Sequence, residues 1–305
     1  MVRGDRTGGL RDDVVARLHR LSAALHFDLN SDYRNSILVT SSGRSGSTWL
    51  AEIVNYKNEY RMIFEPFRRD RSPIAKDIRF GLYLDPAMGS APQASAIEAI
   101  LRGRVRTPWS EQRNRRLARR RIIKDIRTTN LVPWITANFP ALPIVYLVRH
   151  PFAVARSWAR LGWRDFTHEF TSQHSLMERL SHLRPVIDET IDDGSVFDRH
   201  VLRWCLENHL PVHDLASDEV HLVFYEDLVR DPASEVSRLF AYLHKEFEPR
   251  VLERLAEPSA TTFADESSEP VEHGTERATE ILAAFGLDRL YGADATPTGN
   301  PLGTR

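Results

Sequence analysis

The chain has 305 residues, 42% of them apolar and 27% charged, with a formal net charge of -1. This is an ordinary soluble mixture, long enough for a large core and near the size where one domain becomes two. Its near-neutral balance gives no overall attraction to nucleic acid or anionic lipid. The single cysteine, Cys205, excludes an internal disulfide and suits a reducing, cytoplasmic setting. No run reaches the length of a membrane span, and no apolar signal segment follows Met1.

Residues 1–9 are polar and glycine-rich, and a helical period (Val14, Leu18, Leu21, Leu25) predicts a helix from Asp12 to Leu29. The stretch from Ser36 to Leu50 then organises the chain. Ser36–Thr40 reads as a buried strand, Ser41–Ser47 as a Gly- and Ser-rich turn, and Thr48–Val54 as the start of a helix. Strand, glycine loop and helix together cradle an anion, because first-turn amides lack helical partners and glycine lets the backbone approach. Ser42, Gly43, Ser45, Gly46, Ser47, Thr48 and Trp49 belong to this loop, and Arg44 adds a planar charged fork. The pattern G-x-x-x-x-G-K-[ST] of nucleotide triphosphatases is not met: Gly43 and Gly46 are three apart, and Ser47 stands where lysine would be. A plain strand-to-helix turn is the alternative.

Arg61–Phe67 reads as a short strand closed by Pro66. Residues 68–120 are irregular apart from a helix at Ala94–Leu101. Nine arginines against Glu111 alone between Arg102 and Arg121 read best as a solvated helix face. The alternative is a positive rim for an anionic ligand or acidic acceptor; Trp109 alone does not make a nucleic-acid reader.

Ile122–Arg127 and Pro143–Pro151 are further strands running into polar ends, with a short helix at Leu131–Phe139 between them and a helix from Phe152 after them. Helices follow at Leu176–Ile187 and His200–Leu210, then a strand at Val220–Tyr225 and a helix opened by Pro232. The acidic segment Glu253–Glu276 reads in part as a loop over a site. A helix at Glu276–Phe285 is closed by Gly286, and the last dozen residues read as frayed. This alternation predicts one α/β domain with a mainly parallel sheet and helices on both faces. In outline, a tail and helix occupy 1–35, the domain 36–290 with acceptor-side excursions at 66–121 and 159–200, and a flexible tail 291–305. The twelve histidines show no compact metal-ligand spacing, with Pro211 interrupting His209 and His213, so no metal site is expected.

Three segments resemble the PAPS-dependent sulfotransferases, closest to their bacterial and carbohydrate-type members. Ser41–Thr48 resembles the 5′-phosphosulfate loop in its arginine form. Leu147-Val148-Arg149-His150-Pro151, with Ser157 eight residues after Arg149, resembles the 3′-phosphate motif, although His150 replaces the usual aspartate. Tyr225-Glu226-Asp227-Leu228 resembles a late landmark. The resemblance spans residues 36–245 and implies PAPS as donor, PAP as product and no metal. It implies a hydroxyl acceptor, small-molecule, glycan or lipid-like and anionic if the arginine run touches it; self-association stays open.

The chemistry agrees, since a donor with phosphates at both ends needs two anion sites, one in the first loop and one at Arg149 and Ser157. Arg44 is the first choice for the cation at the departing oxygen, and Lys124 the second. The histidine that small-molecule members carry two residues after this lysine is Ile126 here. Glu65 resembles the glutamate that carbohydrate-type members often use instead, so the resemblance implies Glu65 as the base, with Asp125 the runner-up. His150 is expected to have a structural or donor-shell role rather than to act as the base. Trp49, Phe64, Phe67, Trp109, Trp158 and Trp163 are candidates for an acceptor cleft. A kinase-like transferase using ATP-Mg²⁺ and a non-catalytic nucleotide-binding scaffold are the competing readings.

Overall fold

The computed structural model describes residues 27–89, 91–111, 117–255 and 275–303. The apolar runs become strands: β1 (Phe27–Asp28), β2 (Ser36–Ser41), β3 (Arg61–Phe64), β4 (Leu117–Ala118), β5 (Arg121–Asp125), β6 (Ile144–Val148) and β7 (His221–Phe224). Five form one parallel sheet in the order β3–β5–β2–β6–β7, and β1 pairs with β4 in a separate parallel ribbon. This is the expected α/β class.

The central strands are continuous apolar runs because both faces are covered. Along β2, Leu38 enters the core on one face while Ile37 and Val39 enter the core on the other. Along β6, Tyr146 and Val148 alternate in the same way with Val145 and Leu147. From central β2 the chain builds β3 and β5 on one side, then crosses to β6 and β7 on the other. The strand order thus reverses beside β2, so the crevice beyond the carboxyl ends of β5, β2 and β6 is where such a sheet receives ligands.

The helices are α1 (Ser47–Val54), α2 (Ala94–Leu101), α3 (Val132–Asn138), α4 (Pro151–Arg160), α5 (Thr167–Thr171), α6 (His174–Arg179), α7 (Arg184–Asp193) and α8 (Val196–Asp214). After β7 come α9 (Tyr225–Arg230), α10 (Pro232–Tyr242), α11 (Val251–Leu255) and α12 (Glu276–Ala284). A reciprocal Ser195–Asp198 capping box starts α8, the longest of them among the described residues.

Four expectations need correction or restriction. Pro211 does not interrupt α8. Proline removes the amide that would bond the Glu207 carbonyl, and the Tyr146 hydroxyl reaches that carbonyl instead, at 3.4 Å. Among the described residues the arginine run is not a helix face: Arg121 begins β5 and is fully buried, with Nε donating to Ser36 Oγ at 2.9 Å, while residues 112–116 of the run lie outside the described residues. The last residues do not fray as far as 303, since Ser217 N donates to the Gly303 carbonyl at 2.8 Å and Leu302 is buried. The helix expected over 12–29 gives way at its end to strand β1; the rest of it, and residues 256–274 of the acidic segment, lie outside the described residues.

Candidate active site

The loop between β2 and α1 is built for close approach. Gly46 caps α1 with φ 95°, a conformation costly for any side chain, and no side chain caps the first-turn amides. A Cβ on Gly46 would stand 2.9 Å from the Tyr225 ring, and one on Gly43 would stand 2.8 Å from Trp163. Arg44 lies in the left-handed region as well, at φ 68°, strain of the kind that gathers at functional sites. Ser42 Oγ is held by Asn208 of α8 at 2.9 Å. Ser45 Oγ is buried and meets no partner among the described residues, so an orphaned donor faces the place where an anion would sit.

A second group of cations adjoins the loop. Arg149, at the end of β6, donates from Nη1 to the Arg44 carbonyl at 3.0 Å, and its guanidinium lies 4.5 Å from the Tyr225 ring centre. Arg44 Nε reaches Ser157 Oγ on α4 at 3.2 Å. Glu226 fixes this corner by accepting from the His150 amide at 2.9 Å and from the Tyr291 hydroxyl at 3.1 Å. His150 caps α4, its Nδ1 accepting from the Phe152 amide at 3.3 Å, and its ring packs on Tyr291. Burial, with Arg156 and Arg149 nearby, lowers its pKa to about 4.

Beyond the ends of β3 and β5 lies a third group. Glu65 takes a left-handed backbone, φ 42°, directly before Pro66. Its Oε1 accepts from Lys124 Nζ and its Oε2 from Arg127 Nη1, each at 2.9 Å. Burial alone would raise this carboxyl; the charges of Lys124 and Arg127 overcome that and hold it at about 2. Asp125 is fully buried, with Oδ2 accepting from the Phe67 amide at 2.8 Å and Oδ1 from the Arg127 amide at 2.9 Å. Burial raises its pKa against the pull of Arg127.

Glu65 opens onto a cavity of about 670 Å³ whose walls include Phe80, Trp109, Trp163 and Phe166. Ile126 and Trp163 line this cavity and also touch the Gly43 position. The anion loop and the cavity therefore meet across one pair of side chains.

A sulfotransferase domain model matches residues 34–281, most of the chain. The chain belongs to the sulfotransferase family. Among solved structures it resembles a sulfotransferase domain from the curacin biosynthetic pathway, at 16% identity and a TM-score of 0.45, covering 85% of this chain and 99% of that one. It also resembles a Mycobacterium tuberculosis H37Rv sulfotransferase at 16% identity and TM-score 0.38, covering 90% and 83%. A mouse sulfotransferase complexed with PAP matches at 18% identity and TM-score 0.36, covering 79% and 69%. No curated protein matches the sequence.

In this sulfotransferase the expected residues fall into two adjoining groups. Arg44, Arg149 and Ser157 meet at the anion loop, while Glu65 and Lys124 meet at the cavity, with Asp125 behind them. Phe67, Trp109 and Trp163 line the cavity. Trp158 is buried under Arg203 instead, Trp49 packs on Tyr225, and Phe64 packs on Trp109. Sequence reasoning assigned no role to Arg127, Tyr225 or Arg203. The signal for Arg203 was present as Arg203 and Glu207 at i and i+4 within an otherwise apolar helical run. Tyr225 stood out only as the first residue of the late landmark, without a role, because its ring reaches the loop only through the pairing of β7 with β6.

Proposed function

We propose that the protein moves the sulfuryl group of PAPS to an acceptor hydroxyl in the cavity, with Glu65 as the base and Lys124 as the cation nearest the transferring group. The carrying observation is the Glu65–Lys124–Arg127 cluster opening onto a cavity that shares Ile126 and Trp163 with the anion loop. The residues fit the donor. Ser45 Oγ, the α1 amides and Gly46 suit the 5′ phosphate, Arg149 and Ser157 suit the 3′ phosphate, and Trp49 and Tyr225 lie between as ring surfaces for the base.

In the transfer, the acceptor O–H gives its proton to a Glu65 oxygen as the acceptor oxygen bonds to sulfur. The bond from sulfur to the 5′-phosphate oxygen breaks with its electron pair, leaving PAP and a sulfate ester. Loop amides and Arg44 stabilise the charge left on the phosphate. Arg44 was the first choice for the sulfuryl-facing cation. Its reach to Ser157 supports a role between the two phosphates, and the Glu65 contact supports Lys124 for the sulfuryl end. Held at about 2, the Glu65 carboxyl is always ionised but weakly basic. Engagement of Lys124 by the sulfuryl oxygens removes the nearest cation and restores its proton affinity. Asp125, with both oxygens on backbone amides, positions Arg127 and the Phe67 turn.

Turnover of PAPS with a phenol panel and calorimetric PAP binding test this together. Glu65→Gln is expected to bind PAP normally and lose roughly 10²-fold or more in turnover. Near-full turnover in Glu65→Gln, with loss in Asp125→Asn at unchanged PAP affinity, would reassign the base. The acceptor beyond its hydroxyl, self-association and a cytoplasmic setting extend this same reading; among the described residues no helix is long and apolar enough to cross a membrane.

A further inference from the structure

Five arginines line the cavity: Arg68, Arg69, Arg127, Arg164 and Arg203. Four of them are committed to carboxylates. Arg68 pairs with Asp70 at 2.9 Å, Arg69 with Glu169 at 3.4 Å, Arg127 with Glu65 at 2.9 Å, and Arg203 with Glu207 at 2.7 Å. Arg164 is exposed and meets no carboxylate among the described residues. Its guanidinium stands 5.8 Å from the centre of the Phe166 ring.

Arg203 comes to the same ring from inside. It is fully buried on α8, 3.9 Å from the Trp158 ring centre and 5.0 Å from those of Phe80 and Phe166. Its Nη1 donates to the Arg164 carbonyl at 3.1 Å, and its Nη2 meets no hydrogen-bond partner among the described residues. A buried guanidinium N–H without an acceptor is costly and uncommon. Two donor groups, one exposed and one orphaned, thus flank a single ring in the cavity wall. The surrounding walls, Phe80, Trp109, Trp163 and Phe166, present flat apolar surface. Glu65, where the hydroxyl must sit, lines the same cavity.

We infer that the acceptor is an anion: a flat apolar body whose hydroxyl meets Glu65 and whose carboxylate is received by Arg164, with Arg203 Nη2 as the inner donor. This rests on the cavity being the acceptor site. It moves the anion-selecting charge from the Arg102–Arg121 stretch, where Arg121 is buried far from the cavity in its own network, to the segment that carries Trp163 and Phe166. A carboxylate matches a guanidinium in shape and charge, and the orphaned Nη2 penalises an uncharged occupant that offers no strong acceptor.

The probes are naphthoate and methyl naphthoate, neither of which carries a hydroxyl, titrated into the full chain with PAP present. Calorimetry is the readout, supported by quenching of tryptophan fluorescence. Naphthoate is expected to bind roughly tenfold or more tighter than its ester. Arg164→Gln should bring the two within about threefold by weakening the acid, and Arg164→Lys should recover part of the preference. Because Arg164 is exposed, these variants leave the core intact. Equal binding of acid and ester to the wild type overturns the inference, as does a preference that survives Arg164→Gln, which would place the carboxylate on another of the cavity's arginines. Binding needs no proton transfer, so failure of Glu65 as base would appear in the turnover of hydroxynaphthoate with the acid preference still present.

Discussion

Strands β3 and β5 carry buried charge at both ends, and the two ends behave differently. At their start, Arg61 and Arg121 face each other in register. Arg61 binds Asp28 and Glu111 and donates to the Gly103 carbonyl at 2.7 Å, while Arg121 takes Ser36 Oγ and the Asn30 and Asp32 carbonyls. Backbone oxygens join this network, and it is sealed from the cavity, since none of its residues lines that space. At the far end, Glu65 pairs with both Lys124 and Arg127, and Glu65 and Arg127 open onto the cavity. Buried ion pairs are weak stabilisers against an apolar alternative but costly to break singly. A sealed network can therefore only hold structure, whereas an open one can exchange a partner for a ligand.

The sharpest way to break this comparison is at the sealed end. Arg61→Met leaves Asp28 and Glu111 buried without their main cation, and is expected to cost about 3–5 kcal/mol in denaturant unfolding. PAP affinity of the folded protein should stay as in the wild type. The double variant Arg61→Met with Glu111→Leu should recover much of the loss. A loss of PAP binding in folded Arg61→Met would mean the two ends are coupled.

At the open end, the donor cations come next. Arg149→Met is expected to weaken PAP binding by roughly 10- to 100-fold, the range of a charge-assisted contact to a phosphate, with little change in unfolding midpoint. A stability loss without a loss of affinity would make Arg149 part of the scaffold, holding the Arg44 carbonyl and the Tyr225 ring.

Most of the fold was legible because β2, β5 and β6 are buried on both faces, so that Ile37–Val39, Ile122-Ile123 and Ile144–Val148 read as apolar runs. The loop and Arg149 were legible for a related reason, since polar residues at the ends of such runs have few other places to go. Other features needed tertiary pairing. Arg121 lies in a run of arginines whose sequence resembles a solvated face; only the fold brings Ser36, the Asn30 and Asp32 carbonyls and Asp28 around it as the acceptors that let it be buried. Pro211 reads as a helix break unless the Tyr146 hydroxyl on β6 is known to reach Glu207. Arg127 follows the strand and looks like a surface charge until β3 brings Glu65 beside it.

A smaller perturbation separates loop from cavity. Gly43 has no positive φ, so Gly43→Ala strains no backbone, but its Cβ meets Trp163 at 2.8 Å and Ile126 at 3.2 Å. The indole must shift into the cavity. Acceptor KM should rise several-fold, about 1 kcal/mol, with PAP affinity changed less. The reverse pattern would show that the Trp163 contact serves the donor side.

The finest distinction is in pH. His150, His200, His209 and His221 are each lowered to about 4 by burial, from an ordinary value of 6.5. Between those values the unfolded chain binds more protons, so stability is lost as pH falls from 6.5 toward 4. Glu65 shifts in the same direction but acts at lower pH. Its carboxyl is depressed from 4.5 to about 2, so its contribution is whole above 4.5 and lost only below it. Unfolding midpoints should therefore decline through the histidine range while Glu65 is still ionised. In that range kcat/KM, measured on protein confirmed to be folded by its circular dichroism, should show no acid limb, because this ratio reports the free enzyme's base. The limb in kcat should lie higher, since the donor takes Lys124 from Glu65. An acid limb in kcat/KM near 6.5 would indicate a histidine base, and the cluster at the open end would then be as structural as the one at the sealed end.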